Sequence, residues 1–134
     1  MSGLSSLYPN AGSYSASTNA DNVRANVQWL EELAIFMGVH PDFDGAFTYT
    51  SGSLTQALYT EQTASATADG RGSGTRKIAK QTLTYTSGNL TKIKNEISYN
   101  NGSSYSIWVG RAGNAFTNPG YTSGNLTSTT MATS

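Results

Sequence analysis

His40, Asp42 and Asp44 are the nearest thing in this chain to a set of metal ligands. Alternate residues of a strand share a side, and an Asp-x-Asp pair suits a hard cation. The segment also contains Pro41 and follows a helical pattern, and Asp in such a place more often caps a turn. With few other ligands in the chain, no metal is assigned. Nucleophilic catalysis needs a base beside its nucleophile. This chain has one histidine, no cysteine and many hydroxyls in no recognisable context. Glycoside hydrolysis needs two carboxylates on a cleft, and six of the eight acids fall at or before Glu61. The expectation is a protein that is not an enzyme, with no catalytic residue, metal or cofactor.

Three further segments have a chemical and a structural reading. Gly70-Arg71-Gly72-Ser73-Gly74-Thr75-Arg76-Lys77 loosely resembles a phosphate loop, but it lacks the Gly-Lys-Ser/Thr ending and follows no apolar strand. It reads as a surface linker, and no specific nucleic-acid partner is expected. Asn89-Leu90-Thr91, Asn101-Gly102-Ser103 and Asn125-Leu126-Thr127 are formal glycosylation sequons, though turn chemistry accounts for each Asn. Tyr85, Tyr99, Tyr105 and Trp108 could form an aromatic platform for sugar, or supply the core of a small β-ribbon.

The elements that would carry these residues follow from composition and spacing. Of 134 residues, only 37% are hydrophobic and 12% charged, with zero net charge. That supply of core is thin, so stability gained from partners is expected. Acids dominate up to Glu61 and bases dominate from Arg71 to Arg111; these poles either suit self-association or are an incidental feature of a solvated surface. The absence of Cys excludes disulfides. No apolar run is long enough for a membrane span, and the start has neither the basic region nor the apolar stretch of a signal peptide.

Residues 1–19 read as an extended arm and 20–40 as an amphipathic helix, capped by Asn19 or Asp21 and closed by Gly38 and Pro41. Ala20, Val23, Val27, Leu30, Ala34 and Met37 follow a coiled-coil spacing, with Trp29, Leu33 and Phe36 beside them and Glu31 and Glu32 opposite. Either one stripe meets symmetry mates, making Val23, Val27, Leu30, Ala34 and Met37 the oligomerisation residues, or both stripes cover the chain's own sheet.

Residues 41–127 read as β-hairpins. Thr48-Tyr49-Thr50-Ser51-Gly52-Ser53-Leu54-Thr55 recurs as Thr84-Tyr85-Thr86-Ser87-Gly88-Asn89-Leu90-Thr91 and as Tyr121-Thr122-Ser123-Gly124-Asn125-Leu126-Thr127, at a constant spacing of 36 residues. A two-residue loop at Ser-Gly would set Tyr and Leu opposite each other on one face, with Gly at φ > 0 and Thr on the other face. Matching the odd-numbered apolar residues of 93–109 requires a three-residue loop at Asn100-Asn101-Gly102, with Ile97 near Tyr105 and Ile93 near Val109. Residues 64–74 read as a flexible linker and 128–134 as a polar tail. The fold expected is α+β, mainly β: one N-terminal amphipathic helix, then short antiparallel hairpins in a small sheet or barrel-like domain.

Leu83-Thr84-Tyr85-Thr86-Ser87-Gly88-Asn89-Leu90-Thr91-Lys92-Ile93 resembles segments of tailed-bacteriophage virion proteins, in fibres and in capsid or tail attachments. It is similar, more weakly, to Gly-Asn-Leu-Thr repeats of bacterial wall-associated and toxin shells, which carry Asp where Thr50, Thr86 and Thr122 stand here. The phage resemblance implies a virion structural protein, capsid-decorating or a short fibre or fibre adaptor. Its implied partners are copies of itself, in a homotrimer, other virion proteins such as capsid or tail, and a host-surface glycan. A carbohydrate-binding module of an adhesin is the alternative.

Overall fold

The structure, a computed structural model, describes residues 16–110 and 112–134, with side chains from Asn19 onward. The first fifteen residues of the expected arm lie outside the described residues. Two compact units divide the chain between Ala34 and Ile35. The fold is α+β and mainly β: one long helix, then a seven-stranded antiparallel sheet.

Helix α1 spans Ala16–Phe36. It begins earlier than the capping signals predicted, so Asn19 and Asp21 lie within it. Short polar side chains favour a cap but do not prevent a helix from running through them. Its end is as expected. Gly38 adopts φ 73° and its amide donates to the Ile35 carbonyl at 2.9 Å, a left-handed closure that glycine makes without strain.

The strands are β1 (Phe43–Thr50), β2 (Ser53–Glu61), β3 (Ile78–Thr86), β4 (Asn89–Ser98), β5 (Ser106–Ile107), β6 (Phe116–Thr122) and β7 (Asn125–Ala132). The sheet order is β1-β2-β3-β4-β6-β7, with β5 on β4. Three hairpins, β1–β2, β3–β4 and β6–β7, therefore lie side by side with their turns at one end. The predicted tail is strand as far as Ala132: Ser128 to Ala132 pair with Gly120 to Phe116, and their Thr-rich, uncharged run suits a strand.

Alternation assigns the faces. The core lies on one face, at the end away from the turns: Ala57, Tyr59, Ala79 and Ile97 pack with Ile35 and Phe36, and Phe43 and Trp108 close over them. Phe36 and Trp108 stack with ring centroids 4.9 Å apart. This packing explains a departure at β5. The turn is two residues long, with Asn101 at φ 57° and Gly102 at φ 85°, and Ile97 pairs with Ser106. Trp108, an even-numbered residue, takes the core side, so the odd-numbered Tyr105 and Ile107 are turned to the other face. Asn-Gly, the strongest short hairpin signal, prevails over apolar parity.

The linker after β2 is also more ordered than predicted. It contains helix α2 (Thr63–Ala68) and a 3-10 turn at Ser73–Thr75. Glu61 accounts for this order, as described below.

Candidate functional site

The repeated segment builds one structure three times. Ser51 and Gly52 have φ 52° and 83°, Ser87 and Gly88 51° and 83°, and Ser123 and Gly124 51° and 81°. Two consecutive left-handed residues make the type I′ turn that matches strand twist. Tyr49 pairs with Leu54, Tyr85 with Leu90 and Tyr121 with Leu126, as their spacing predicted.

The threonines do more than occupy the opposite face. Thr55, Thr91 and Thr127 are each the extra residue of a bulge beyond the Tyr–Leu pair. Their hydroxyls donate across the hairpin to the carbonyls of Thr48 (3.3 Å), Thr84 (3.2 Å) and Gly120 (3.4 Å). Each also meets a second hydroxyl: Thr50 at 3.1 Å, Thr86 at 3.3 Å and Thr122 at 3.2 Å. The motif is thus a turn locked by a pair of threonines.

The repeat also extends to the joints between hairpins. Ala57 pairs with Gln81 and Leu58 with Lys80; 36 positions on, Ile93 pairs with Thr117 and Lys94 with Phe116. Equal joints place all three Tyr–Leu pairs on one face, the face that carries the core. At the turn end this face is open, with Tyr49 64% exposed and Leu126 60%; Phe47, 52% exposed, lies between them and the core, opposite Ala57. The opposite face carries charge. Lys80 and Lys94 each approach Glu96 at 3.5 Å, Lys80 Nζ lies 4.1 Å from the Tyr105 ring centroid, and Lys92 Nζ 5.1 Å from that of Phe116. Burial, with the charge of Glu96, pushes the Tyr105 hydroxyl up from its usual range.

The aromatic set named from the sequence does not converge. Trp108 and Tyr85 belong to the core-bearing face, Tyr105 to the lysine face, and Tyr99 is exposed beyond the end of β4. A different row, Tyr49, Tyr85 and Tyr121, shares a face; the 36-residue spacing with odd–odd parity was the signal for it. Of the helix residues, Val27, Leu30 and Met37 are exposed, Val23 and Ala34 half-buried, and Glu32 is buried. The seam is thus open in part, while Glu32, expected on the solvent side, is not.

His40, Asp42 and Asp44 serve local geometry. His40 Nδ1 accepts from the Asp42 amide at 3.2 Å and its ring meets Phe43 edge-on, while Asp44 accepts from Gln62 at 3.1 Å. Among the described residues, no three His, Cys, Asp or Glu are grouped to hold a metal ion.

A buried ionic cluster around Glu61 was not foreseen. Glu61, 2% exposed, receives Arg71 through both oxygens (2.7 and 2.6 Å), the Ser65 hydroxyl (2.9 Å) and the Lys77 amide (3.0 Å). Arg71 also donates to Asp69 and to the Thr75 carbonyl. Burial alone would raise the Glu61 carboxyl; the hydrogen bonds of Arg71, Lys77 and Ser65 and the charge of Arg71 outweigh it and hold the group at about 2. The bonds of Arg71 to Glu61 and to Asp69 raise the guanidinium in turn. With its oxygens thus engaged, the carboxylate is suited to pinning the linker across the end of β2 and not to proton transfer. The signal was present in Ala57, Tyr59 and Glu61: the alternation carries an acid to the core side, where it requires a cation.

Comparison with protein-family models, curated proteins and solved structures finds no match. Among the described residues, no helix is long and apolar enough to cross a membrane.

Proposed function

We propose that this chain is a structural component of a tailed-phage virion, a capsid-decorating protein or a short fibre or fibre adaptor, which works by assembling with copies of itself and with other virion proteins. The observation that carries the assembling role is the open face of the sheet, where Tyr49 and Leu126 at the turn end and Phe47 next to the core stand exposed on a chain with few large apolar residues to spare. Val27 and Leu30 add a second exposed apolar strip on α1. The virion setting and threefold order follow from the resemblance of the hairpin motif. Glycan binding by Tyr85, Tyr99, Tyr105 and Trp108 has less support, because that set is divided between the faces.

The test has two arms. Sedimentation of the purified chain at micromolar concentration should give an oligomer, and a clean monomer would overturn the assembling role. An antibody against the chain should label phage particles carrying its gene at regular positions, and unlabelled particles would overturn the virion setting.

A further inference from the structure

The equality of the two joints between hairpins has a consequence at the sheet's ends. In each hairpin the descending strand receives, on its outer side, the ascending strand of the next: β2 receives β3 and β4 receives β6, in one register. The third descending strand, β7, has no strand on its outer side, and the first ascending strand, β1, has none on its own, among the described residues. The open edges are therefore the two complementary halves of a joint that the chain already makes twice.

We propose that β7 of one copy pairs antiparallel with β1 of a second copy, head to tail, continuing the 36-residue repeat across the chain boundary. The β2–β3 joint has five pairs, Gln56↔Thr82 to Thr60↔Ile78. Carried forward by the repeat, these become Ser128, Thr129, Thr130, Met131 and Ala132 of one copy opposite Ala46, Gly45, Asp44, Phe43 and Asp42 of the next. Met131 thereby comes to lie beside Phe43 on the core-bearing face.

The edges themselves favour this occupant. Sheet edges that must stay single are blunted by lysine, proline or brevity. β7 has eight residues with no charge and no proline, seven of them exposed, and β1 has eight with Asp44 as its single charge. Tandem-repeat proteins end in polar capping repeats when they are to stay monomeric, and among the described residues no further element covers either edge. The joint uses different surfaces on the two copies, so it generates rings where the rotation closes and filaments where it does not. The proposal rests on the reading of the chain as self-assembling and not on the virion setting.

The chain has no cysteine, so introduced thiols report without background. Thr130→Cys and Asp44→Cys, both at exposed positions, should crosslink under mild oxidation when the two variants are mixed, and neither should crosslink alone. Thr130→Cys mixed with Thr48→Cys, four residues out of register, should stay uncrosslinked. Adding Lys at Thr129 and Thr130 should abolish oligomers while leaving the far-ultraviolet spectrum of the sheet unchanged. Crosslinking of Thr130→Cys with itself, or an oligomer that survives the lysines, would overturn the edge joint while leaving self-assembly standing. A parent that sediments as a monomer would overturn both.

Discussion

Glu61→Gln keeps the shape of the ionic cluster and removes its negative charge. The ordinary carboxyl value of 4.5 and the value of about 2 in the folded chain differ by about 3 kcal/mol, at ~1.4 kcal/mol per tenfold in proton affinity. Glu61 is 2% exposed, so little of this is lost to solvent screening. The Gln amide group must also face one of the donors that Glu61 accepted, Arg71, Lys77 N–H or Ser65, which adds ~1 kcal/mol or more for an unmet donor. The expected loss at neutral pH is therefore about 4 kcal/mol or more. The pH dependence has a definite sign. A carboxyl depressed on folding contributes its full stabilisation above pH 4.5 and loses it as pH falls towards 2. The parent should weaken through that window, while the Gln variant lacks this contribution throughout, so the gap between them should close in acid. Urea unfolding followed by tryptophan fluorescence at a series of pH values measures it. Equal midpoints at pH 7, or a gap that persists undiminished at the acid end, would refute the assignment of Glu61 as the charged clamp of the linker.

Three other expectations concern the hairpins and the helix. A Cβ at Gly120 would stand 2.5 Å from Ser128 Oγ, an exposed hydroxyl that can turn away, with the next atom at 3.8 Å, so Gly120→Ala should cost no more than ~1 kcal/mol and Ser128→Ala should remove that cost in the double variant, as read by thermal melting. Thr91→Val keeps the branched shape but loses both hydroxyl contacts of the second turn; it should cost ~1 kcal/mol, with Thr91→Ser restoring most of it. Val27→Asp lies at an exposed helix position, so it should leave the monomer's melting unchanged while weakening any association through α1; unchanged sedimentation would remove the seam from the assembly.

What could be read from the sequence was whatever a few neighbouring residues decide by themselves. Ser-Gly between Tyr and Leu fixes a two-residue turn, the turn fixes the Tyr–Leu pairing, and the 36-residue spacing fixes three copies. Gly38 closed the helix for the same local reason. The errors came where two local signals competed or where the partner is distant. At Asn101-Gly102 the turn signal and apolar parity disagree, and nothing local says that Trp108 and not Ile107 belongs to the core. The bulge at Thr55, Thr91 and Thr127 changes parity within each hairpin and shows only once the strands are paired. Arg71 is ten residues from Glu61, across helix α2 and Gly70, and no periodicity links them. The order of the hairpins and the side on which the helix end packs depend on Ile35 and Phe36 meeting residues up to Ile97 and Trp108, which is beyond any window of sequence.

The placement of the core gives the repeat its physical meaning. A sheet with Ile35, Phe36, Tyr59, Ile97 and Trp108 gathered at one end is held by burial and the Glu61–Arg71 pair there, and by backbone pairing, threonine pairs and the Lys80 and Lys94 contacts to Glu96 elsewhere. Each threonine pair contributes little alone, since exposed hydrogen bonds exchange protein partners for water at small net gain. Its value is to specify register: with the turn, the bulge and the hydroxyl pair all agreeing, a slipped hairpin would lose every one of them and would turn Tyr and Leu to the lysine face. Register that is fixed hairpin by hairpin makes each joint between hairpins the same, although the residues forming them, Ala57 and Gln81 in one and Ile93 and Thr117 in the other, have little in common. A joint that tolerates such different side chains depends on backbone geometry more than on side-chain fit. An unpaired strand of the same geometry on another copy meets that requirement as well as the chain's own next hairpin does.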